Sequence, residues 1–380
     1  MTSSPARTIR NVLLKTALLL IALNILFALV FPMPWLGRRS LYNRLFPGRE
    51  RLPFGENPAV SYNLSLYNLD AMFAAHRLSA DPKPAGEYRV LFIGDSSIWG
   101  TLLRPAETLP ARVDAANLRC DGRPVRAYNL GYPTLSVTKD LLILAEALPR
   151  YQPDLIVWGV TLEALVPDQQ LASPLAANNA ARLDPLIRAH NLNLPAAPTA
   201  LVRPDFWQRT LIGQRRPLAD LLRLQLYGFR WAATGIDQEY PASYTPAQRD
   251  LDPDPAYHGW QPGQMPPAAL AFDVLAAGQR AAGPVPILLL NEPILISPGQ
   301  NSDVRYNFFY PRWAYDAYRA ELTRRAAQTR LPLLDAWNLL PPAEFTNSAI
   351  HLTPAGSRTL ADLVGQKITA LCAGDESRYP

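Results

Sequence analysis

The sequence predicts an α/β protein: a three-layer α/β/α sandwich with a mostly parallel five-stranded sheet, preceded by an N-terminal transmembrane helix. Three observations carry this. Short, continuous apolar runs of strand length recur along the chain, and helical stretches separate them. A much longer apolar run stands near the N-terminus. A proline-opened helix closes the chain. Strands alternating with helices place the sheet between two helical layers, and ligands beyond the C-terminal ends of the strands.

The elements follow in order. Val12 to Phe31 holds twenty residues with one charge, Lys15, and as a helix is about 30 Å long, the thickness of a bilayer core. No small residues at −3 and −1 of a cleavage site follow it, so it reads as an uncleaved signal anchor, with Trp35 at the far interface. Charge count does not orient it: Arg7, Arg10 and Lys15 stand on one side, and Arg38, Arg39, Arg44, Arg49 and Arg51 on the other. A short N-terminal tail of this kind stays cytoplasmic, which leaves the large domain outside. Residues 1–35 are thus tail and anchor, and 36–86 a proline-punctuated connector with a short helix near Leu69 to His76. The connector repeats Tyr-Asn-Leu at 62–64 and 67–69, read as packing and turn chemistry with a loop that closes over a site as the alternative, and His76 as a surface or helix histidine.

The domain of 87–380 opens with Tyr88 to Ile93, a buried strand ended by Gly94. A helix over 107–117, a strand over 125–128, a helix over 135–148 and a strand over 155–159 follow. After an insertion at about 165–283 come a strand over 285–290, a helix over 314–329, and a fifth strand in Leu-Pro-Leu-Leu-Asp. The last helix starts at Thr353-Pro354, an N-cap with proline in the first turn. A crossover needs far fewer residues than the insertion has, so the insertion is a cap, a partner surface or a peripheral helical pair.

Composition narrows the function. The chain is 48% hydrophobic, too apolar for disorder, and its net charge of +5 is spread out rather than clustered, which gives nucleic-acid binding no support. Only four histidines occur, with no metal-binding spacing, no Gly-x-Ser-x-Gly elbow and no dinucleotide-binding glycine pattern, so neither metal nor cofactor is expected. What does stand at a strand end is Gly94-Asp95-Ser96-Ser97, a serine in a tight turn before a helix N-terminus. His351 precedes the N-cap of the last helix, at the same edge of the sheet, where it could take the hydroxyl proton and return it.

Strand-Gly-Asp-Ser-Ser, Asn129-Leu130-Gly131 after the second strand and a loop histidine before the final helix together resemble the SGNH/GDSL hydrolase superfamily, over about residues 87–163 and 285–372. The resemblance implies a flavodoxin-like sheet, Ser96 as nucleophile, His351 as base, and the Ser96 and Gly131 amides as oxyanion donors, with Asp95 structural. It also shows departures. The expected Gly-x-Asn block reads Gly159-Val160-Thr161, which leaves Thr161 to donate a hydroxyl hydrogen bond. The acid expected three residues before the histidine is Ser348, next to the neutral Asn347; Asp335 and Glu344 are the nearest acids, and both stay open. With a flavodoxin-like strand order, Cys120 and Cys372 lie at one edge of one helical layer, where a disulfide fits; two separate thiols are the alternative.

The resemblance implies a serine-dependent esterase or O-acyltransferase acting on acyl esters of a cell-surface glycan, beside a multi-span membrane acyltransferase as partner. A lipase or lysophospholipase-like esterase is the near alternative. A non-catalytic glycan-binding scaffold is the alternative from a different class.

Overall fold

The computed structural model describes residues 5–55, 64–80, 82–194, 201–240, 243 and 245–374. Tyr62 and Asn63 of the first Tyr-Asn-Leu lie outside the described residues, as do short stretches of the insertion.

The sheet has six strands: β1 (Tyr88–Ile93), β2 (Arg119–Cys120), β3 (Arg123–Asn129), β4 (Leu155–Val160), β5 (Ile287–Asn291) and β6 (Leu333–Asp335). Their order is β2-β3-β1-β4-β5-β6, and every pair is parallel except β2-β3. The five parallel strands are the five expected, in flavodoxin-like order. The sixth, β2, is a two-residue edge strand joined to β3 through Asp121-Gly122, both at positive φ. Asp-Gly favours such a tight turn, and the five-strand expectation missed the short edge strand it creates.

Twelve α-helices are described: α1 (Pro5–Val30), α2 (Met33–Gly37), α3 (Leu69–Ala75), α4 (Ser96–Trp99), α5 (Leu109–Ala115), α6 (Val137–Tyr151), α7 (Pro174–Ala177), α8 (Ala180–His190), α9 (Arg215–Thr234), α10 (Phe272–Ala282), α11 (Arg312–Thr329) and α12 (Pro354–Cys372). The β1 and β4 strands are buried along their whole length, because helices cover both sheet faces. One face packs on α3, α6, α10 and α11 through Phe73, Leu141, Leu144, Trp158, Val274 and Tyr318. The other packs on α5 and α12 through Phe92, Val113, Val157, Val364 and Ile368. Cys120 and Cys372 meet at the edge of this second layer in a disulfide, with their Cα atoms 5.3 Å apart.

The α1 helix is long and apolar enough to cross a membrane, with a mean hydropathy of 2.4 in its most apolar window. Arg49 and Arg51, counted in the sequence as flanking charges, are buried in the body. That leaves Arg38, Arg39 and Arg44 against Arg7, Arg10 and Lys15, an even balance.

The connector is more than a linker. Leu69, Met72 and Phe73 of α3 are buried against the α6 side of the sheet, and Phe73 lies edge-on to Tyr151. His76 is fully buried rather than on the surface. Its Nδ1 accepts from the Leu78 amide at 3.1 Å, so Nε2 carries the hydrogen and faces the Asn129 and Glu50 carbonyls at 3.1 and 3.2 Å. Burial pushes its pKa down to about 3, so this histidine is neutral and structural.

Candidate active site

Gly94 ends β1, and the chain turns at once into α4. The Asp95 carboxylate caps that short helix, accepting from the Ser97 amide at 2.8 Å, and the turn leaves Ser96 half-exposed above the sheet. Ser96 is the first residue of α4, where backbone N–H groups lack intrahelical acceptors and favour a developing negative charge.

His351 reaches this serine from the other side of the sequence. Residues 345–352 fold into a small hairpin, with a bridge between Phe345 and Leu352 and the Thr346 amide donating to the His351 carbonyl at 2.8 Å. The His351 Nε2 lies 2.8 Å from Ser96 Oγ. Its Nδ1 lies 2.9 Å from Asn347 Oδ1. A carboxamide oxygen only accepts, so Nδ1 holds the ring hydrogen and Nε2 presents its lone pair to the serine hydroxyl. Burial pushes the His351 pKa down to about 4. At neutral pH the histidine is therefore a free base.

Of the two acids left open by the sequence, neither reaches the ring. Asp335 is taken by Arg319, at 2.6 and 3.1 Å, and by the Asn291 carboxamide at 2.7 Å. It lies at the end of β6 and braces that edge of the sheet, so it is corrected from candidate triad acid to structural ion pair. Glu344 caps the last helix from behind, accepting from the Thr353 hydroxyl. The histidine partner is the neutral Asn347.

Gly131 and Thr161 are close to the site but otherwise engaged. The Gly131 amide donates to Asn129 Oδ1 at 3.0 Å, while Asn129 Nδ2 donates to the Ile98 carbonyl at 2.9 Å. Asn129 thus welds this loop to α4. A side chain on Gly131 would meet the Trp99 amide nitrogen at 2.5 Å, so only glycine fits there. The Thr161 hydroxyl is buried and pairs with Tyr310 Oη at 2.9 Å. Neither group points a free donor at an oxyanion in this state, and the Ser96 amide at the α4 N-terminus is the donor best placed.

Beneath the serine turn lies a charged cluster that sequence reasoning did not find. Lys139 is fully buried; its Nζ donates to the Gly94 and Tyr132 carbonyls at 2.8 and 2.9 Å and pairs with Asp140 at 2.6 Å. It ties the serine turn, the Gly131 loop and α6 together. Glu292 follows β5 and is buried beside Asp95 and Ser97. Burial above all, then the Asp95 charge, holds its pKa well above the usual carboxylate range. Asp95 is raised to about 6, mainly by burial. Gly159 makes the room for Glu292, since a Cβ there would stand 2.2 Å from Oε1. Here the block expected to be Gly-x-Asn keeps its glycine for packing.

The insertion brackets the site. Its Asp237 forms a two-point ion pair with buried Arg51, which also donates to the Trp99 and Gly100 carbonyls behind α4. Gln238 holds the same loop at Gly100 and Leu103. Ala247 donates to the Thr346 carbonyl of the histidine hairpin at 2.6 Å. Farther along, His258 lies between Glu163 and Asp168, at 3.0 Å from each. Hydrogen bonding to Glu163 raises it to about 9. The insertion thus braces both the loop behind Ser96 and the hairpin that carries His351.

No family model matches this chain, and no curated protein matches it in sequence. Solved structures similar to it include a catalytic mutant of an acetylxylan esterase from Geobacillus stearothermophilus, at 14% identity over 74% of this chain and 94% of that one, with a TM-score of 0.37. They also include a carbohydrate acetylesterase family member from Sinorhizobium meliloti, at 12% identity over 75% and 99%, with a TM-score of 0.36. A member of the lipolytic protein G-D-S-L family from Veillonella parvula DSM 2008 is similar at 10% identity over 77% and 99%, again with a TM-score of 0.36. Likeness of this degree bears on no individual residue; the site rests on its own distances.

Proposed function

We propose that the chain is a serine-dependent esterase or O-acyltransferase of the SGNH/GDSL type, anchored in a membrane by α1 and acting on acyl esters of a cell-surface glycan. The observation that carries the chemistry is the relay Ser96 Oγ, His351 Nε2 at 2.8 Å, and His351 Nδ1 to Asn347 Oδ1 at 2.9 Å. The glycan as substrate rests on the anchor and on the motif resemblance.

In the first step Ser96 Oγ bonds to the acyl carbonyl carbon as its proton passes to His351 Nε2. The carbonyl oxygen becomes the oxyanion, facing the Ser96 amide. Collapse breaks the bond to the alcohol oxygen, which leaves with the proton from Nε2 and leaves acyl-Ser96 behind. A water or a sugar hydroxyl then repeats the sequence in reverse, giving hydrolysis or transfer. Asn347 fixes the ring tautomer throughout, but it puts no negative charge beside the imidazolium that forms in each step. The site is therefore built for modest rather than fast turnover.

That neutral partner and the engaged Gly131 amide favour a second reading, a non-catalytic glycan-binding scaffold. One experiment separates the two: hydrolysis of an activated acetyl ester by the full chain in nanodiscs, beside folded Ser96→Ala. Turnover that disappears in the variant supports the serine centre, and an acetylated oligosaccharide acceptor appearing in the same assay supports transfer. Equal background in both proteins overturns the enzymatic reading.

A further inference from the structure

The apolar helix α1 is exposed along nearly its whole length, with Asn24 and Ala28 its buried positions and Phe27 half-covered. These three fall at helical spacing with Phe31, on one stripe. What covers the stripe is the insertion. The Ile212 amide donates to Asn24 Oδ1 at 3.0 Å, and the Arg209 guanidinium lies 4.7 Å over the Phe31 ring. Seven residues separate Asn24 from Phe31, about 10 Å along a helix. If α1 spans a bilayer with its far end at Phe31 and Trp35, the segment around Ile212 sits below the plane of the helix exit.

That segment has the surface such a place demands. Phe206, Trp207 and Ile212 are exposed at 41, 74 and 55%. In α9, Leu222 and Leu226 stand one turn apart and are 62 and 56% exposed, while Leu224 and Trp231 turn inward. Arg215, Arg216, Arg223 and Arg230 are exposed among them. The connector continues the face: Leu45 and Phe46 are exposed, Phe46 rests edge-on against Phe229, and the Leu41 amide donates to Gln225 of α9. Large apolar side chains interleaved with arginines suit the headgroup and acyl boundary, where the apolar groups bury about 5–10 Å deep and the guanidiniums meet phosphates.

We propose that residues 201–234 form a second membrane contact, an interfacial element seated on an anionic lipid surface beside α1. This rests on the reading of α1 as a membrane span. It gives the insertion a role: gripping the bilayer through α9 while Arg51, Asp237 and Gln238 brace the loop behind Ser96, it holds the serine site at a set height and orientation above the lipid.

The test uses the full chain in nanodiscs containing phosphatidylglycerol. Its native cysteines are paired, so single cysteines introduced by Ile212→Cys, Leu226→Cys, Leu20→Cys and Asp362→Cys take a fluorescent label one at a time. Asp362 lies exposed on α12, in the other helical layer. Doxyl-lipid quenching at positions 212 and 226 at least about twofold stronger than at 362 is expected for an interfacial depth. Quenching at 20 with none at 212 and 226, and with aqueous iodide reaching both, overturns the second contact and leaves that face to a protein partner. No lipid quenching at 20 overturns the membrane span itself, and the proposal with it.

Discussion

Replacing Asn347 by aspartate tests the reasoning about the relay most directly. The substitution keeps the size of the side chain and puts a carboxylate where Oδ1 now lies 2.9 Å from His351 Nδ1. The charge centres would be about 4 Å apart, worth about 4 kcal/mol at an effective dielectric of 20 and about 2 kcal/mol when halved for the exposed side of Asn347. Asn347 is exposed, so the new carboxylate loses little hydration. With about 1.4 kcal/mol for each tenfold change, the His351 pKa should climb from about 4 to roughly 5.5–7. The general base works as the free imidazole, so the acid limb of kcat/KM should lie near pH 4 in the native chain and move up by that amount in the variant. On the plateau the imidazolium formed in the transition state gains part of the same attraction, which should raise kcat roughly 10- to 100-fold. The assay is initial-rate hydrolysis of an activated acetyl ester from pH 3.5 to 8. An acid limb that stays near pH 4 with an unchanged plateau, in folded protein, would refute the assignment of Asn347 and His351 as a working pair.

Four further outcomes are expected. Glu292→Gln should stabilise the chain at neutral pH: the buried carboxyl has its pKa raised, so native stability falls as pH rises above the ordinary value near 4.5, and urea midpoints of the variant should lose that slope. His258→Gln should lower stability at pH 6, and the gap should close as pH climbs through about 9, because a raised histidine stabilises fully only below its unfolded pKa near 6.5. Gly131→Ala should be destabilised and near-inactive in the ester assay, since its methyl group meets backbone at 2.5 Å. Reducing Cys120–Cys372 frees a loop of sequence separation 252 and should cost up to about 5 kcal/mol by the chain-entropy argument, read as a drop in Tm with added reductant.

Much of the fold is local in origin and therefore legible in the chain. Continuous apolar runs such as Tyr88 to Ile93 and Leu155 to Val160 can be satisfied only between two helical layers, and Thr353-Pro354 starts a helix whatever surrounds it. The same applies to the length and hydropathy of α1 and to a serine placed on the turn that ends the first strand. Ser96 and His351 could be paired because strand ends in a parallel sheet share one edge. The strand order that the resemblance implies left Cys120 and Cys372 as a disulfide or two separate thiols, and the packing of the second layer settles it as a disulfide.

What tertiary structure alone decided is the company each polar group keeps. Nothing in sequence spacing says that Asp335 spends its charge on Arg319 while neutral Asn347 faces His351, because a tight hairpin between Phe345 and Leu352 sets that choice. Buried Lys139 and Glu292 look like ordinary surface charges in the chain, and only the packing of α6 and β5 beneath Gly94 removes them from water. The connector's His76 and Arg51 became interior residues in the same way. Sequence fixes which groups exist and which elements carry them; long-range packing fixes their distances and their dielectric surroundings, on which proton transfer depends.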